Sequence, residues 1–246
     1  MSEEMIYGLH AVRSVLAQRP QAVKRLLLVK RADERLADVL AQASSHRLNI
    51  EIHTAQSLDA LTGQGLHQGV VALVTPLGPM SEEDLLMRLG EGDQVPLVLV
   101  LDGVQDPHNL GACLRTADAV GATAVVVPKD RAAGLTPVVR KVAAGAAETV
   151  PLVQVTNLAR TLRALKEQGL WIVGTDGEAT TPHHQASLTG PLAVVLGAEG
   201  TGMRRLTREH CDLVVQLPLR GAVQSLNVSV AAGVMLYEVL RQRDQA

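Results

Sequence analysis

Phenylalanine is absent from the sequence, and the chain carries one Trp and two Tyr. Modules that stack bases on aromatic platforms need exposed rings, so nucleic-acid binding here cannot rest on stacking. Cysteine is also scarce: Cys113 and Cys211 stand far apart without a CxxC. That spacing indicates neither a disulfide framework nor a zinc site. The N-terminus begins with acids and lacks the basic start and apolar core of a signal peptide, and no apolar run approaches a membrane span. A cytoplasmic protein without membrane association is expected. The dinucleotide fingerprint GxGxxG, the P-loop GxxxxGK[ST] and the GxSxG elbow are all missing, which disfavours nucleotide-dependent oxidoreductases and hydrolases. His183 and His184 are adjacent and cannot share one face, and neither they nor His67 suggests a metal site, so no metal is expected.

No large excess of positive charge is present either, with a formal net charge of −2. This rules out attachment to nucleic acid by bulk charge but leaves room for a local patch. Between His10 and Arg31 there are six basic residues (Arg13, Arg19, Lys24, Arg25, Lys30, Arg31) and no acids. A solvated face explains that stretch as well as an RNA contact does.

What is present is 246 residues, 47% hydrophobic and 20% charged, enough for one large domain or two modest ones. The clearest break in composition spans residues 75–96, where Pro76, Gly78, Pro79, Gly90, Gly92 and Pro96 surround a short polar segment. Within it Ser81 and Asp84 resemble a capping box that opens a brief helix through Leu89. We read residues 76–95 as a linker between an N-terminal α/β domain, 1–75, and a C-terminal domain, 96–246. Upstream, helical spacing around Leu9, Val12 and Val15 precedes strands at 25–29, 49–53 and 70–74 and helices at 33–43 and from Ser57. Downstream, apolar strands are expected at 97–101, 124–127, 150–155, 171–174, 192–196 and 213–217. Helices are expected at 110–120, 137–146, 158–168 and about 226–243. Continuous apolar strands separated by helices predict an α/β fold with a mostly parallel sheet covered on both faces, whose ligands bind at the carboxyl ends of the strands.

Three polar, glycine-rich motifs follow such strands. The first runs from Asp102 to Ala117 and contains Asn109, placed where a helix N-cap belongs, and Arg115 six positions on. Capping explains Asn109 and a surface ion pair explains Arg115; the small residues Gly111, Ala112 and Ala117 favour close approach of a ligand or another backbone. The second reads Gly197-Ala-Glu199-Gly200-Thr-Gly202. A carboxylate in a glycine loop repels a pyrophosphate and suits a cationic ligand without phosphates; an ordinary glycine turn with an exposed Glu is the plain alternative. The third runs from Pro218 to Gly233, with Ser225 or Asn227 available to cap the last helix and the small residues 230–233 permitting tight packing of it.

Together, NxGxxxRtA from Asn109, LGxEGxG from Leu196 and PlrGxvxSLNVSvA from Pro218 resemble the signature motifs of the SpoU branch of the SPOUT superfamily, the trefoil-knotted RNA ribose 2′-O-methyltransferases. The segments Tyr7-Gly-Leu-His-Ala-Val and His67-Gln-Gly-Val resemble the substrate-binding domain of the bacterial 23S ribosomal RNA guanosine-2′-O-methyltransferases. The resemblance implies a deep trefoil knot in the C-terminal domain, a ribosomal-protein-like N-terminal domain that binds the RNA substrate, and a homodimer. It implies S-adenosylmethionine as cofactor, its adenine held largely by backbone groups around Gly197, Leu217 and Leu226. It also implies transfer of a methyl group to a ribose 2′-hydroxyl in ribosomal RNA, with a guanosine of 23S rRNA the expected target. Asn109 and Asn227 would orient groups through amide hydrogen bonds, and Ser225 would donate or accept. A guanidinium does not readily deprotonate, so Arg115 suits a clamp on the phosphate beside the target ribose better than a base, leaving Glu199 as the candidate for proton handling. A methyltransferase acting on another rRNA or tRNA site, and a non-catalytic RNA-binding protein, are the rival readings.

Overall fold

Residues 3–30, 34–76, 78–91 and 94–246 are described by the computed structural model. By their contacts they form two units, Met1–Gly78 with Leu135–Thr149, and Pro79–Gly134 with Val150–Ala246.

In the first unit the chain runs through β1 (Glu4–Tyr7), α1 (Leu9–Gln18), β2 (Val23–Val29), α2 (Ala37–Ser45), β3 (Ile50–His53), α3 (Ala55–Leu61) and β4 (Val70–Val74). The sheet order is β1-β4-β2-β3, with β4 antiparallel to both neighbours and β2 parallel to β3. Strand alternation sends Leu26 and Leu28 to the face covered by Val12, Val15 and Leu16 of α1, and Leu27 to the opposite face with Val71 and Leu58 of α3. Thr54 caps α3 by accepting from Ser57 N at 3.1 Å. His67, buried, accepts from Gly69 N at 3.0 Å through Nδ1 and donates through Nε2 to Asp59 at 3.1 Å, a purely local use of the ring.

Three of the six cations of the basic stretch are matched by acids from distant parts of the same unit. Arg13 pairs with Asp38 at 2.9 Å, Arg19 with Glu148 at 2.6 Å and Arg25 with Glu3 at 3.2 Å. Lys24 and Lys30 are exposed, and Arg31 lies outside the described residues. The start expected at Asp33 for the second helix is also outside them; α2 begins at Ala37. The sequence reading missed β1, whose four residues run directly into the stronger helical pattern of α1.

The second unit contains α4 (Glu82–Glu91), β5 (Leu97–Asp102), α5 (Pro107–Ala119) and β6 (Ala124–Pro128). Helix α6 (Pro137–Ala143) then leaves to join the first unit. The chain returns with β7 (Leu152–Val155), α7 (Leu158–Glu167), β8 (Trp171–Thr175), β9 (Thr181–Pro182), β10 (Leu192–Gly197), α8 (Arg205–Glu209), β11 (Leu213–Gln216) and α9 (Val228–Arg243). Seven strands in the order β7-β6-β5-β10-β8-β11-β9 form a sheet in which every pairing is parallel. Every residue of β5 and β6 is buried, as expected of strands covered on both faces.

Two segments differ from the expected division. In the stretch read as a linker, the brief helix expected from the Ser81–Asp84 capping box forms as α4, with Ser81 Oγ accepting from Asp84 N at 3.1 Å, but its Leu85 and Leu89 join the second unit's core with Val98 and Val126. Residues 135–149, expected within the C-terminal domain, pack on the first unit. Arg140, its side chain 5% exposed, donates to Glu4 at 2.6 Å and Glu148 at 2.5 Å, and Ser14 donates to the carbonyl of Gly145 at 3.0 Å. Helix α6 stops at Ala143 rather than Ala146 because Ala144 and Gly145 are both left-handed. A Cβ on Gly145 would lie 2.8 Å from Ser14 Cβ, so this close approach requires glycine. Among the described residues no helix is long and apolar enough to cross a membrane.

Candidate active site

Strands β8, β10 and β11 end together, and the loops that follow them enclose a cleft of about 500 Å³. Its walls are residues 175–178, the glycine loop 196–203, Leu217 and Leu219, and residues 224–226 with Val228 and Ala231 of α9. The charged side chains among these are Asp176, Glu178 and Glu199, with no basic residue. Asp176 pairs with Arg208 and accepts from Glu178 N at 2.8 Å. The glycine loop closes on itself through Ala198 N to Gly202 O at 3.1 Å and Gly202 N to Ala198 O at 2.9 Å. A Cβ on Gly197 would sit 2.0 Å from Gly202 C and 2.2 Å from Met203 N, so the fold-back demands glycine there.

Beside the cleft, the N-terminal ends of α5 and α9 bring three of the expected residues together. Asn227 caps α9: its Oδ1 accepts from Ser229 N at 2.9 Å and Ser229 Oγ at 2.6 Å. Its Nδ2 donates to Glu199 Oε1 at 2.8 Å and to Asn109 Oδ1 at 2.9 Å. Asn109 Nδ2 reaches the same Glu199 oxygen at 3.3 Å, and Val228 N donates to it at 3.2 Å. One carboxylate oxygen thus gathers two side-chain amides and a backbone N–H at the start of a sixteen-residue helix, where the helix dipole favours negative charge. Glu199 Oε2 accepts no hydrogen bond among the described residues, and the side chain is exposed. This arrangement can hold a carboxylate in one orientation while leaving an oxygen available to a ligand or a proton.

Asn109 is not the cap of α5. Asp106 takes that place, accepting from His108 N at 3.0 Å, because Pro107 suits the first helical position and moves the helix start upstream. Ser225, Leu217, Leu226 and Gly197 all line the cleft. Arg115 lies on α5 about 9 Å of helix rise beyond Asn109, exposed and outside the amide cluster; it makes no hydrogen bond or ion pair among the described residues. Sequence reasoning missed Asp176 and Glu178, although an Asp-Gly-Glu turn directly after an apolar strand is a legible signal. Both cysteines are poor nucleophiles: burial pushes the Cys113 thiol up to about 12 and the Cys211 thiol up to about 11. Among the described residues no three His, Cys, Asp or Glu side chains group as metal ligands.

Comparison with known proteins places this architecture. Residues 96–237 match the SpoU rRNA Methylase family, and residues 5–80 match the family described as RNA 2′-O ribose methyltransferase substrate binding. A 23S rRNA (guanosine-2′-O-)-methyltransferase RlmB of Pseudomonas putida is 58% identical over 244 residues, covering 98% of this chain and 97% of that protein. Among solved structures, an RNA 2′-O ribose methyltransferase matches with a TM-score of 0.76 and 26% identity over 98% of this chain and 89% of the other. The SpoU methyltransferase AviRb from Streptomyces viridochromogenes, in complex with the cofactor AdoMet, shares the fold with a TM-score of 0.82 at 24% identity, over 99% and 92% of the two chains. In sequence and fold alike, this chain belongs to the SpoU rRNA methylase family.

Proposed function

We propose that this protein transfers a methyl group from S-adenosylmethionine to the ribose 2′-hydroxyl of a guanosine in 23S ribosomal RNA. The observation that carries this reading is the exposed Glu199 carboxylate, held by Asn109 and Asn227 at the mouth of a cleft whose charged residues are all acidic. The full-length likeness to relatives named as 23S rRNA guanosine-2′-O-methyltransferases supports the target.

The cleft suits the cofactor. Its volume of about 500 Å³ is in the range of small-molecule sites, and with Asp176 spent on Arg208, the carboxylates of Glu178 and Glu199 and the absence of a basic lining residue favour a cation over a phosphate-bearing ligand. Backbone groups of Gly197, Leu217 and Leu226 would hold the adenine. When bound, S-adenosylmethionine supplies an electrophilic methyl group on a positively charged sulfur. The chain's own work is alignment and proton handling. Asn109 and Asn227 fix Glu199 Oε1, so that Oε2 is placed to take the proton leaving the ribose hydroxyl. Ser225 lines the same cleft with an exposed hydroxyl that can donate or accept. Arg115 clamps the phosphate beside the target ribose, a role suited to a planar, permanently charged fork.

The finer architecture belongs to the same proposal. The second unit carries the trefoil knot that the resemblance of its motifs implies, and residues 1–75 bind the RNA. Two protomers join through α9, whose exposed Val230, Val234 and Tyr237 (51%, 38% and 53%) fall at helical spacing on one face. The enzyme acts on ribosomal RNA in the cytoplasm. Purified protein given S-adenosylmethionine with a labelled methyl group and an unmodified 23S rRNA transcript should label one guanosine at its 2′-oxygen. RNA binding without transfer would instead favour a non-catalytic RNA-binding protein, and labelling of a different RNA would move the target.

A further inference from the structure

The cleft and the amide cluster leave unused the buried carboxylate that ends β5. Asp102, its side chain 0% exposed, spends both oxygens on one residue. Oδ2 accepts from Arg204 N at 2.8 Å and Oδ1 accepts from Arg204 Nε at 2.6 Å, with Arg204 Nη2 forming an ion pair to Oδ1 at 2.5 Å. The Arg204 side chain is nevertheless 56% exposed. Stability alone gives little reason to bury a carboxylate against a half-exposed guanidinium, because a well-packed apolar residue avoids the desolvation. What the pair produces is a half-exposed guanidinium fixed in one orientation, its inner edge met by Asp102 and its outer face open to solvent.

A second arginine-bearing loop meets the next residue. A Cβ on Gly103 would lie 3.8 Å from the carbonyl of Arg131 and 3.8 Å from Ala198 Cβ, and Ala133 N donates to the carbonyl of Val104 at 2.9 Å. The loops after β6 and β10 therefore converge on Gly103 from two sides. Arg131 is exposed, makes no hydrogen bond or ion pair among the described residues, and has φ +55°. Glycine adopts that left-handed conformation without strain, so Arg131 can be replaced by glycine with its side chain lost and its backbone conformation kept. Its exposed neighbour Asp130 forms no ion pair with it among the described residues. The cleft, by contrast, presents Asp176, Glu178 and Glu199.

We propose that Arg131 and Arg204, on the loops that follow β6 and β10 at the carboxyl end of β5, form a phosphate-binding subsite for the RNA backbone. RNA then approaches over the loops that follow these strands, while the acid-lined cleft is reserved for a cationic ligand. The identity of the polymer rests on the function proposed above; the subsite itself requires only a phosphodiester chain.

Filter binding of an unmodified 23S rRNA transcript to the full-length protein, over a series of KCl concentrations, tests this. Arg131→Gly relieves the backbone strain, so it should melt no lower than the parent and bind S-adenosylmethionine equally well by calorimetry. Its RNA affinity should nevertheless fall several-fold, and the slope of log affinity against log salt should drop by about 0.7–1, as for one lost phosphate contact. Arg204→Gln should lose affinity and slope in the same way, and Arg204→Lys, which keeps charge without the pinned fork, should fall between. Unchanged affinity and slope in both Arg131→Gly and Arg204→Gln would overturn the subsite. So would an Arg204→Gln protein that loses only S-adenosylmethionine binding, since the pair would then merely position the glycine loop. Salt-dependent RNA binding by the parent without methyl transfer would overturn the enzymatic reading and leave the subsite standing.

Discussion

Two carboxylate sites, one in each unit of this molecule, use charge in opposite ways. In the first, Arg19, Arg140, Glu4 and Glu148 pair with one another, their side chains between 3% and 15% exposed. Each charge there is neutralised by a neighbour, and the set ties residues 135–149 to β1 and α1. In the second, Glu199 is exposed and meets neutral amides rather than a cation. A carboxylate oriented by amides keeps its charge for a ligand, whereas one consumed by two arginines cannot. The second unit has structural pairs of its own, Asp102 with Arg204 and Asp176 with Arg208, so the contrast lies between the buried set of the first unit and the carboxylate of Glu199.

The comparison breaks most sharply at Arg115, a cation of the second unit that makes no ion pair among the described residues. Arg115→Ala should cut methyl transfer about a thousandfold, roughly 4 kcal/mol, with S-adenosylmethionine affinity nearly unchanged, as read by single-turnover kinetics and calorimetry. Arg115→Lys should stay badly impaired because it keeps charge without the fork. Activity of Arg115→Ala equal to the parent would reduce that residue to a surface charge.

Next in size is Glu148→Ala, which leaves Arg19 and Arg140 buried without their shared partner. It should destabilise the first unit by about 3 kcal/mol in urea unfolding, as breaking a buried pair does, while S-adenosylmethionine binding at low denaturant persists. Gly197→Ala should act in reverse. Its Cβ meets backbone that cannot move aside, so cofactor affinity should fall about thirtyfold, roughly 2 kcal/mol, with little change in the first unit's unfolding.

The smallest effect is expected at the end of α9. Hydrogen bonds from Arg241 hold the Glu238 carboxyl at about 2 instead of 4.5. The resulting stability is present above pH 4.5 and is lost as pH falls towards 2. Arg241→Ala should therefore melt slightly below the parent at neutral pH, and the two curves should converge on acidification through that window. A surface pair of this kind contributes little, and a difference that grew below pH 4.5 would contradict the assignment.

How much of this was legible in the sequence depends on the range of the interaction. The apolar runs at 97–101 and 192–196 announce buried parallel strands because burial on both faces needs no partner information. Asn227 reads as a cap because a short polar side chain directly precedes an apolar helix. Asn109 misleads for an equally local reason, since Asp106 and Pro107 offer a better start three residues earlier. The pairings of Asp102 with Arg204 and of Arg19 with Glu148 span about a hundred residues or more, and no periodicity reports them. For the same reason a run of six cations without an intervening acid looked like a free basic face, when three of its members are met by acids from elsewhere in the fold.

The most direct test of the central claim is a map of 2′-O-methylation in 23S ribosomal RNA from a strain deleted for this gene and complemented in turn with the parent and with Arg115→Ala. One guanosine should lose its methyl group on deletion, regain it with the parent and remain unmodified with the variant. An unchanged methylation map in the deletion strain, or full restoration by Arg115→Ala, would contradict the account.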